Sequence, residues 1–89
     1  TPLFEACRSG NENIVKCLIG LGADINKENG NGEIPFFEAC ISGNENLVSF
    51  LIERGTDINK KNIFNKTPLI EACENGHENI VKCLIENGA

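Results

Sequence analysis

Apolar residues recur along the start of the chain with the spacing of a helix. Positions 3, 6 and 7 follow an i, i+3, i+4 pattern, and positions 14, 15, 18 and 19 form a second apolar stripe. Thr1 and Pro2 suit the N-cap and the first position of a helix, and Gly10 and Gly22 suit the ends of the two segments. The pattern therefore predicts two short amphipathic helices followed by a polar segment.

The same pattern returns every 33 residues. The phrase TPLFEAC at 1–7 becomes IPFFEAC at 34–40 and TPLIEAC at 67–73. Residues 1–33 share 19 identities with 34–66 without a gap, and residues 1–23 share 17 of 23 with 67–89. A period of this length is typical of a stacked solenoid. We expect one all-α repeat solenoid over 1–89, with units at 1–33 and 34–66 and an incomplete unit at 67–89.

Each complete unit ends in a polar segment, GADINKENGNGE at 22–33 and GTDINKKNIFNK at 55–66. Both segments are rich in Asn, Asp, Gly and Lys, which favour turns. The glycines of the NGNG tip also suit a type I′ hairpin turn. We therefore expect stacked antiparallel helix-turn-helix units with projecting β-hairpin or turn fingers.

The chain resembles the ankyrin repeat family in its TPL phrase, the small residues that follow, the GNENIV and LI segments and the closing GADIN. The resemblance covers the whole chain and implies a curved stack of helix pairs that binds other proteins. One feature departs from the family pattern. The histidine that usually follows TPL is replaced by Phe4, Phe37 and Ile70, so its hydrogen bond with the threonine hydroxyl is unavailable.

The middle repeat also replaces the capping threonine, because Ile34 stands where the outer repeats have Thr1 and Thr67. Without a histidine partner, the threonine contributes mainly a helix cap, worth about 1 kcal/mol. An isoleucine can offset that loss by burying apolar surface between neighbouring repeats. We expect Ile34 to be buried.

Composition excludes several classes of function. The chain has 89 residues with a net charge of −5, and eight basic residues against thirteen acidic ones make nucleic-acid binding through phosphate contacts a poor fit. No apolar run approaches the roughly 20 residues of a membrane span. We expect no membrane insertion.

The five cysteines follow the repeat and do not form a chemical motif. Cys7, Cys40 and Cys73 share one repeat position, and Cys17 and Cys83 share another. Neighbouring repeats stand about 10 Å apart, beyond disulfide reach, and there is no C-x-x-C pair for a metal. We therefore expect the cysteines to be small core residues. We expect no metal, cofactor, small-molecule substrate or catalytic site. Because reduced cysteines are typical of intracellular proteins, we also expect a location in the cytoplasm or nucleus.

The positions at which the repeats differ indicate where a partner binds, because solenoids keep packing residues alike and vary exposed ones. They lie in the fingers and at the ends of the first helices, which form the concave surface in the family that the chain resembles. Apolar residues there are candidate anchors. The predicted partner-binding residues are Arg8, Ser9, Glu28, Asn31, Glu33, Ile41, Ser42, Lys61, Ile63, Phe64, Lys66, Glu74 and Asn75.

Two further features are open to interpretation. Glu5, Glu38 and Glu71 recur every 33 residues, so stacking would align them as an acidic stripe that is either a solvated face or a selector for a basic partner. Asn26 and Asn59 follow a leucine by eight residues, which is similar to the pattern modified by asparaginyl hydroxylases in ankyrin repeats. The alternative is that each asparagine braces a turn.

Two functions fit these observations. The leading hypothesis is a non-catalytic module that binds a protein partner through its fingers and first helices. The alternative is a set of structural spacer repeats within a longer array or the regulatory region of a larger protein. Neither end has a unit with a polar outer face, so we expect the chain to be part of a longer array, or to self-associate through its uncapped ends.

Overall fold

The computed structural model describes residues 1–89 as six helices with no strands. The helices are α1 (Pro2–Ser9), α2 (Glu12–Gly20), α3 (Pro35–Ser42), α4 (Glu45–Glu53), α5 (Pro68–Glu74) and α6 (Glu78–Glu86). The first helix of each repeat packs against the first helix of the next, so that α3 lies between α1 and α5. This arrangement confirms an all-α stack of helix pairs. No helix has the length and apolar character needed to cross a bilayer.

The first helices begin at the capping positions that the sequence predicts. The hydroxyls of Thr1 and Thr67 accept hydrogen bonds from the backbone N–H groups of Phe4 and Ile70, each at 3.4 Å. Ile34 makes no such bond and is only 2% exposed. The prediction for Ile34 is therefore confirmed, because burial in the middle of the stack replaces the cap.

The second helices are capped by asparagine in only two of the three repeats. The Oδ1 atoms of Asn11 and Asn44 accept from backbone N–H groups at 3.2 and 3.0 Å. His77 occupies the equivalent position in the third repeat but makes no capping bond. Its Nε2 atom instead lies 2.8 Å from the carbonyl oxygen of Ile41 in the preceding repeat. His77 thus joins two repeats, which the sequence does not predict.

The core runs through all three repeats and is centred on the middle one. Phe36 and Phe37 are fully buried there, together with Ile34. Phe4 also lies in the interior at the position where the family has histidine. Apolar contact therefore takes the place of the missing histidine–threonine hydrogen bond in the first two repeats.

The cysteines only partly follow the prediction of core residues. Cys7 and Cys40 are buried, but Cys17 and Cys73 are exposed and Cys83 is half-buried. Cys73 is exposed because no repeat covers the outer side of α5, whereas its two equivalents lie beneath the next repeat. Cys17 belongs to a repeat position whose other members, Phe50 and Cys83, are only half-buried.

The fingers are turns without regular strand pairing. The N–H of Gly32 donates to the carbonyl oxygen of Asn29 at 3.1 Å, and the N–H of Asn65 donates to the carbonyl oxygen of Asn62 at 3.0 Å. Only Gly32 (φ 71°) and Asn65 (φ 60°) adopt a positive φ in these turns. A type I′ turn requires two consecutive residues with positive φ, so that expectation for the NGNG tip is wrong.

Candidate protein-binding surface

Two asparagines organise the fingers. The Oδ1 atom of Asn62 accepts the N–H groups of Phe64 and Lys66 at 2.9 and 3.0 Å. The Oδ1 atom of Asn29 accepts those of Asn31 and Glu33 in the same way, at 2.9 and 3.0 Å. These side-chain bonds occupy N–H groups that a strand ladder would otherwise use, which explains the absence of a regular hairpin.

The two fingers are also joined to each other through a carboxylate. Glu33 accepts from the Nδ2 of Asn62 at 2.8 Å with one oxygen and from the Nδ2 of Asn29 at 3.3 Å with the other. Asn62 is only 5% exposed, so a missing partner for its amide would be costly. Glu33 is predicted to bind a partner, but its carboxylate is already engaged within the fingers.

The sequence does not assign a role to either asparagine. Asn29 and Asn62 are identical residues 33 positions apart, whereas the other five positions of residues 28–33 differ from those of residues 61–66. That identity is the signal in the sequence that marks them as structural.

The tip of the second finger projects an apolar pair. Ile63 and Phe64 are each 63% exposed. The N–H of Ile63 donates to the carbonyl oxygen of Asn31 in the first finger at 2.9 Å, so the backbone of the tip is held in place. The Phe64 side chain is therefore mostly exposed to solvent and is not buried by the neighbouring finger. An exposed apolar pair on an ordered backbone can bind a partner without the entropic cost of ordering the loop.

Among the charged finger residues predicted to bind a partner, only Lys61 makes neither an ion pair nor a side-chain hydrogen bond. Lys66 contacts Glu74 at 2.9 Å, and Glu28 contacts Lys60 at 3.5 Å. The side chain of Lys61 is exposed and makes no ion pair or hydrogen bond. Of the predicted charged positions in the fingers, it is the one whose charge remains available to a partner.

The predicted residues of the first helices differ in how freely they face solvent. Arg8 is exposed and contacts Glu5 at 3.2 Å and Glu38 at 3.5 Å, the latter across the boundary between the first two repeats. Ile41 is only half-buried, and its carbonyl accepts the bond from His77. Ile41 is therefore less exposed than the sequence predicts and carries a contact between repeats.

The remaining polar positions at the ends of the first helices bond to their own helices. The hydroxyls of Ser9 and Ser42 donate to carbonyl oxygens one turn earlier, at 3.1 and 3.0 Å. The amide of Asn75 donates to the carbonyl of Glu71 at 2.8 Å. All three residues remain exposed, so these bonds orient their side chains without removing them from the surface.

The acidic stripe differs from one repeat to the next. Glu5 is exposed, whereas the side chain of Glu38 is 15% exposed and contacts Arg8. Glu71 is half-buried and its carboxylate has no ion-pair or hydrogen-bond partner. Burial raises the pKa of Glu71; Lys66 opposes this shift, and the nearby carboxylates, chiefly that of Glu74, add to it. Of the three, only Glu71 lacks a charge partner.

Asn26 and Asn59 are exposed in the loops that follow the second helices. The N–H of Asn26 donates to Asp24 Oδ1 at 2.8 Å, and the N–H of Asn59 donates to Asp57 Oδ1 at 3.0 Å. The aspartates thus brace these turns, and Asn59 adds a 3.4 Å contact from its amide to the carbonyl of Gly88. Hydroxylation of either asparagine remains a prediction.

The structure groups no cluster of side chains suited to metal binding. No three His, Cys, Asp or Glu side chains lie together in an arrangement that could hold a metal ion. Burial raises the pKa of the Cys7 thiol to about 12 and that of Cys40 further, so both thiols are neutral at physiological pH. Neither buried cysteine is an activated nucleophile.

A stack of three helix pairs with ordered fingers defines a helical solenoid repeat protein. A family model described as ankyrin repeats, in three copies, matches residues 3–89. The chain therefore belongs to the ankyrin repeat family, whose members are generally non-catalytic protein-protein interaction modules. No curated protein matches the chain.

Proposed function

We propose that this chain is a non-catalytic module that binds a protein partner through the second finger and the adjoining ends of the first helices. The observation that carries the proposal is the apolar pair Ile63 and Phe64, both 63% exposed on a backbone fixed by Asn62 and Asn31. Large apolar side chains held in this way are typical of interface anchors. Lys61 supplies a free positive charge beside them. We also propose an intracellular location.

The alternative of spacer repeats makes a different demand on these residues. A spacer needs the contacts between repeats, and at the fingers these include the hydrogen bond from Asn62 to Glu33. It has no use for exposed apolar side chains at a finger tip. The two functions can therefore be separated by removing the tip side chains and leaving the finger asparagines intact.

The test compares three forms of the protein in affinity purification from extracts of its source cells, followed by quantitative mass spectrometry. They are the wild type, the double variant Ile63→Ala/Phe64→Ala, and the control Leu21→Ala. Leu21 is also an exposed apolar residue, 80% accessible, but it is the C-cap residue of α2 in the first repeat and is not part of the tip of the second finger.

A protein that is retained by the wild type and by Leu21→Ala, but lost with the double variant, would support the proposal. Truncating an anchor of this kind typically costs 2 kcal/mol or more of binding free energy, about a thirtyfold loss of affinity. The thermal midpoint of all three forms should be nearly the same, because the truncated side chains are mostly exposed. Equal recovery by the wild type and the double variant would favour the spacer function.

A further inference from the structure

The two boundaries between repeats differ in one ion-pair arrangement. At the first boundary, the guanidinium of Arg8 contacts Glu5 on its own helix at 3.2 Å and Glu38 on α3 at 3.5 Å. Arg8 thus bridges the same carboxylate position of two successive repeats. At the second boundary, Ile41 stands in the place of Arg8, and the two carboxylates are those of Glu38 and Glu71. An isoleucine cannot pair with either of them.

The missing cation is a property of the middle repeat. Ile41 lies on α3, which packs between α1 and α5, so the residue that leaves Glu71 unpaired is inside the stack. Glu71 is half-buried, and its carboxylate makes no ion pair or hydrogen bond. The ammonium group of Lys66 is nearby but bonds to Glu74 at 2.9 Å. A carboxylate that is partly removed from water without a partner is unfavourable, and a cation would relieve it.

The surroundings of Glu71 also favour a cation. Burial raises the pKa of Glu71, and Lys66 opposes this shift. Three nearby carboxylates add to the rise, those of Glu74, Glu33 and Glu38. The carboxylates outnumber the one lysine at this point of the surface, so a positive side chain brought to Glu71 would be attracted to it.

Glu71 adjoins the apolar pair of the second finger. Lys66, at the base of that finger, bonds to Glu74, which lies three residues after Glu71 on the same helix. Phe64 is two residues before Lys66, and the backbone N–H groups of both donate to the Oδ1 atom of Asn62. The apolar pair and Glu71 therefore lie on neighbouring parts of one surface, within reach of a single partner segment.

We propose that Glu38 and Glu71 form a subsite for an arginine side chain of the protein partner, whose neighbouring apolar residue binds the tip of the second finger. The inference rests on the proposed function and adds the chemistry of the partner to it. The guanidinium takes the place that Arg8 has at the first boundary, bridging two carboxylates, and its aliphatic stem packs on Ile41. A lysine fits less well, because its ammonium group is a point charge without a planar fork for two carboxylates.

A random peptide library displayed on phage and selected on the wild-type protein provides the probe. The selected peptides should share an arginine at a fixed distance from an apolar residue. They should bind Glu71→Gln about tenfold more weakly, because a hydrogen-bonded ion pair is lost. The control Glu5→Gln removes the same charge from the equivalent position of the first repeat and should bind like the wild type. Alanine in place of the peptide arginine should weaken binding to the wild type but have little further effect with Glu71→Gln.

The outcomes separate this inference from the proposed function. Peptides that lose affinity for Ile63→Ala/Phe64→Ala but bind Glu71→Gln and the wild type equally would overturn the arginine subsite and leave the proposed function intact. Peptides that bind independently of the apolar pair, or a selection that yields no peptides, would contradict the proposed function and the subsite with it.

A measurement without a partner tests the geometry of the subsite. Ile41→Arg places at the second boundary the arginine that the first boundary has, so its guanidinium should occupy the subsite. The pKa of Glu71, followed by carbon-13 NMR of its carboxyl group, should fall below the wild-type value. The selected peptides should bind this variant more weakly than Ile41→Gln, which supplies no charge. A pKa of Glu71 that is the same in Ile41→Arg and the wild type would overturn the subsite.

Discussion

The contact between His77 and Gly43 leads to the sharpest prediction about stability. Gly43 has a φ of 78°, and a Cβ atom at this position would lie 2.7 Å from His77 Cε1 and 2.9 Å from Nδ1. Gly76 has nearly the same conformation, with a φ of 71°, but an added Cβ would meet nothing within 4 Å. The pair Gly43→Ala and Gly76→Ala thus separates the cost of the backbone conformation from the cost of the clash.

The expected magnitudes follow from these geometries. An alanine in the left-handed region costs about 1–2 kcal/mol, and both variants should lose that amount. In Gly43→Ala the imidazole must also move, which disturbs its 2.8 Å contact with the carbonyl of Ile41. Losing that bond and its packing adds about 1–2 kcal/mol. Because about 1 kcal/mol shifts the midpoint of a domain this size by 4–8 °C, Gly43→Ala should melt at least about 4 °C below Gly76→Ala.

Urea unfolding followed by far-ultraviolet circular dichroism suits this test, because the chain has no Trp or Tyr to serve as a fluorescent probe. The double variant Gly43→Ala/His77→Ala should lose less stability than the sum of its single variants, by about 1 kcal/mol. Equal stability of Gly43→Ala and Gly76→Ala, or strict additivity of the double variant, would refute the contact between the imidazole and Gly43.

Three further changes test the packing of the repeats. Ile34→Ala should lower the free energy of unfolding by about 2–5 kcal/mol and Thr67→Ala by only about 1 kcal/mol, because burial of a large side chain contributes more than a helix cap. Equal losses in urea unfolding would contradict the role given to Ile34. Thr56 has a buried hydroxyl without a hydrogen-bond partner, so Thr56→Val should raise stability by about 1 kcal/mol, whereas Thr56→Ser should not. Because the raised pKa of Glu71 disfavours its charged form in the fold, Glu71→Gln should melt above the wild type at neutral pH. The difference in melting temperature should shrink as the pH falls through the folded-state pKa of Glu71 and vanish below the ordinary pKa of Glu. A difference that does not change with pH would contradict the raised pKa.

The architecture could be predicted from sequence because each repeat contains the local signals for its own helix pair. The apolar spacing, the caps and the 33-residue period all indicate the same helix pairs, and these are short-range properties of the chain. The burial of Ile34 was also predictable, since a middle repeat has a neighbour on each side to pack against.

The candidate surface was less predictable, because the state of a side chain depends on which neighbour reaches it. Glu33, Lys66 and Glu74 differ between repeats in the way that partner-binding residues do, yet all three are engaged within the molecule. Ile63 and Phe64 differ in the same way and remain exposed. Sequence variation alone does not distinguish the two groups.

By itself, the sequence determined the helix pairs, their period and the apolar face of each repeat, because these depend on residues only a few positions apart. Only the tertiary structure decided which polar groups meet across repeats. His77 aligns with capping asparagines but reaches Ile41, and Cys73 aligns with buried cysteines but is exposed. The physical reason is the same in both cases: contacts between residues about 33 positions apart depend on how one repeat is seated on the next.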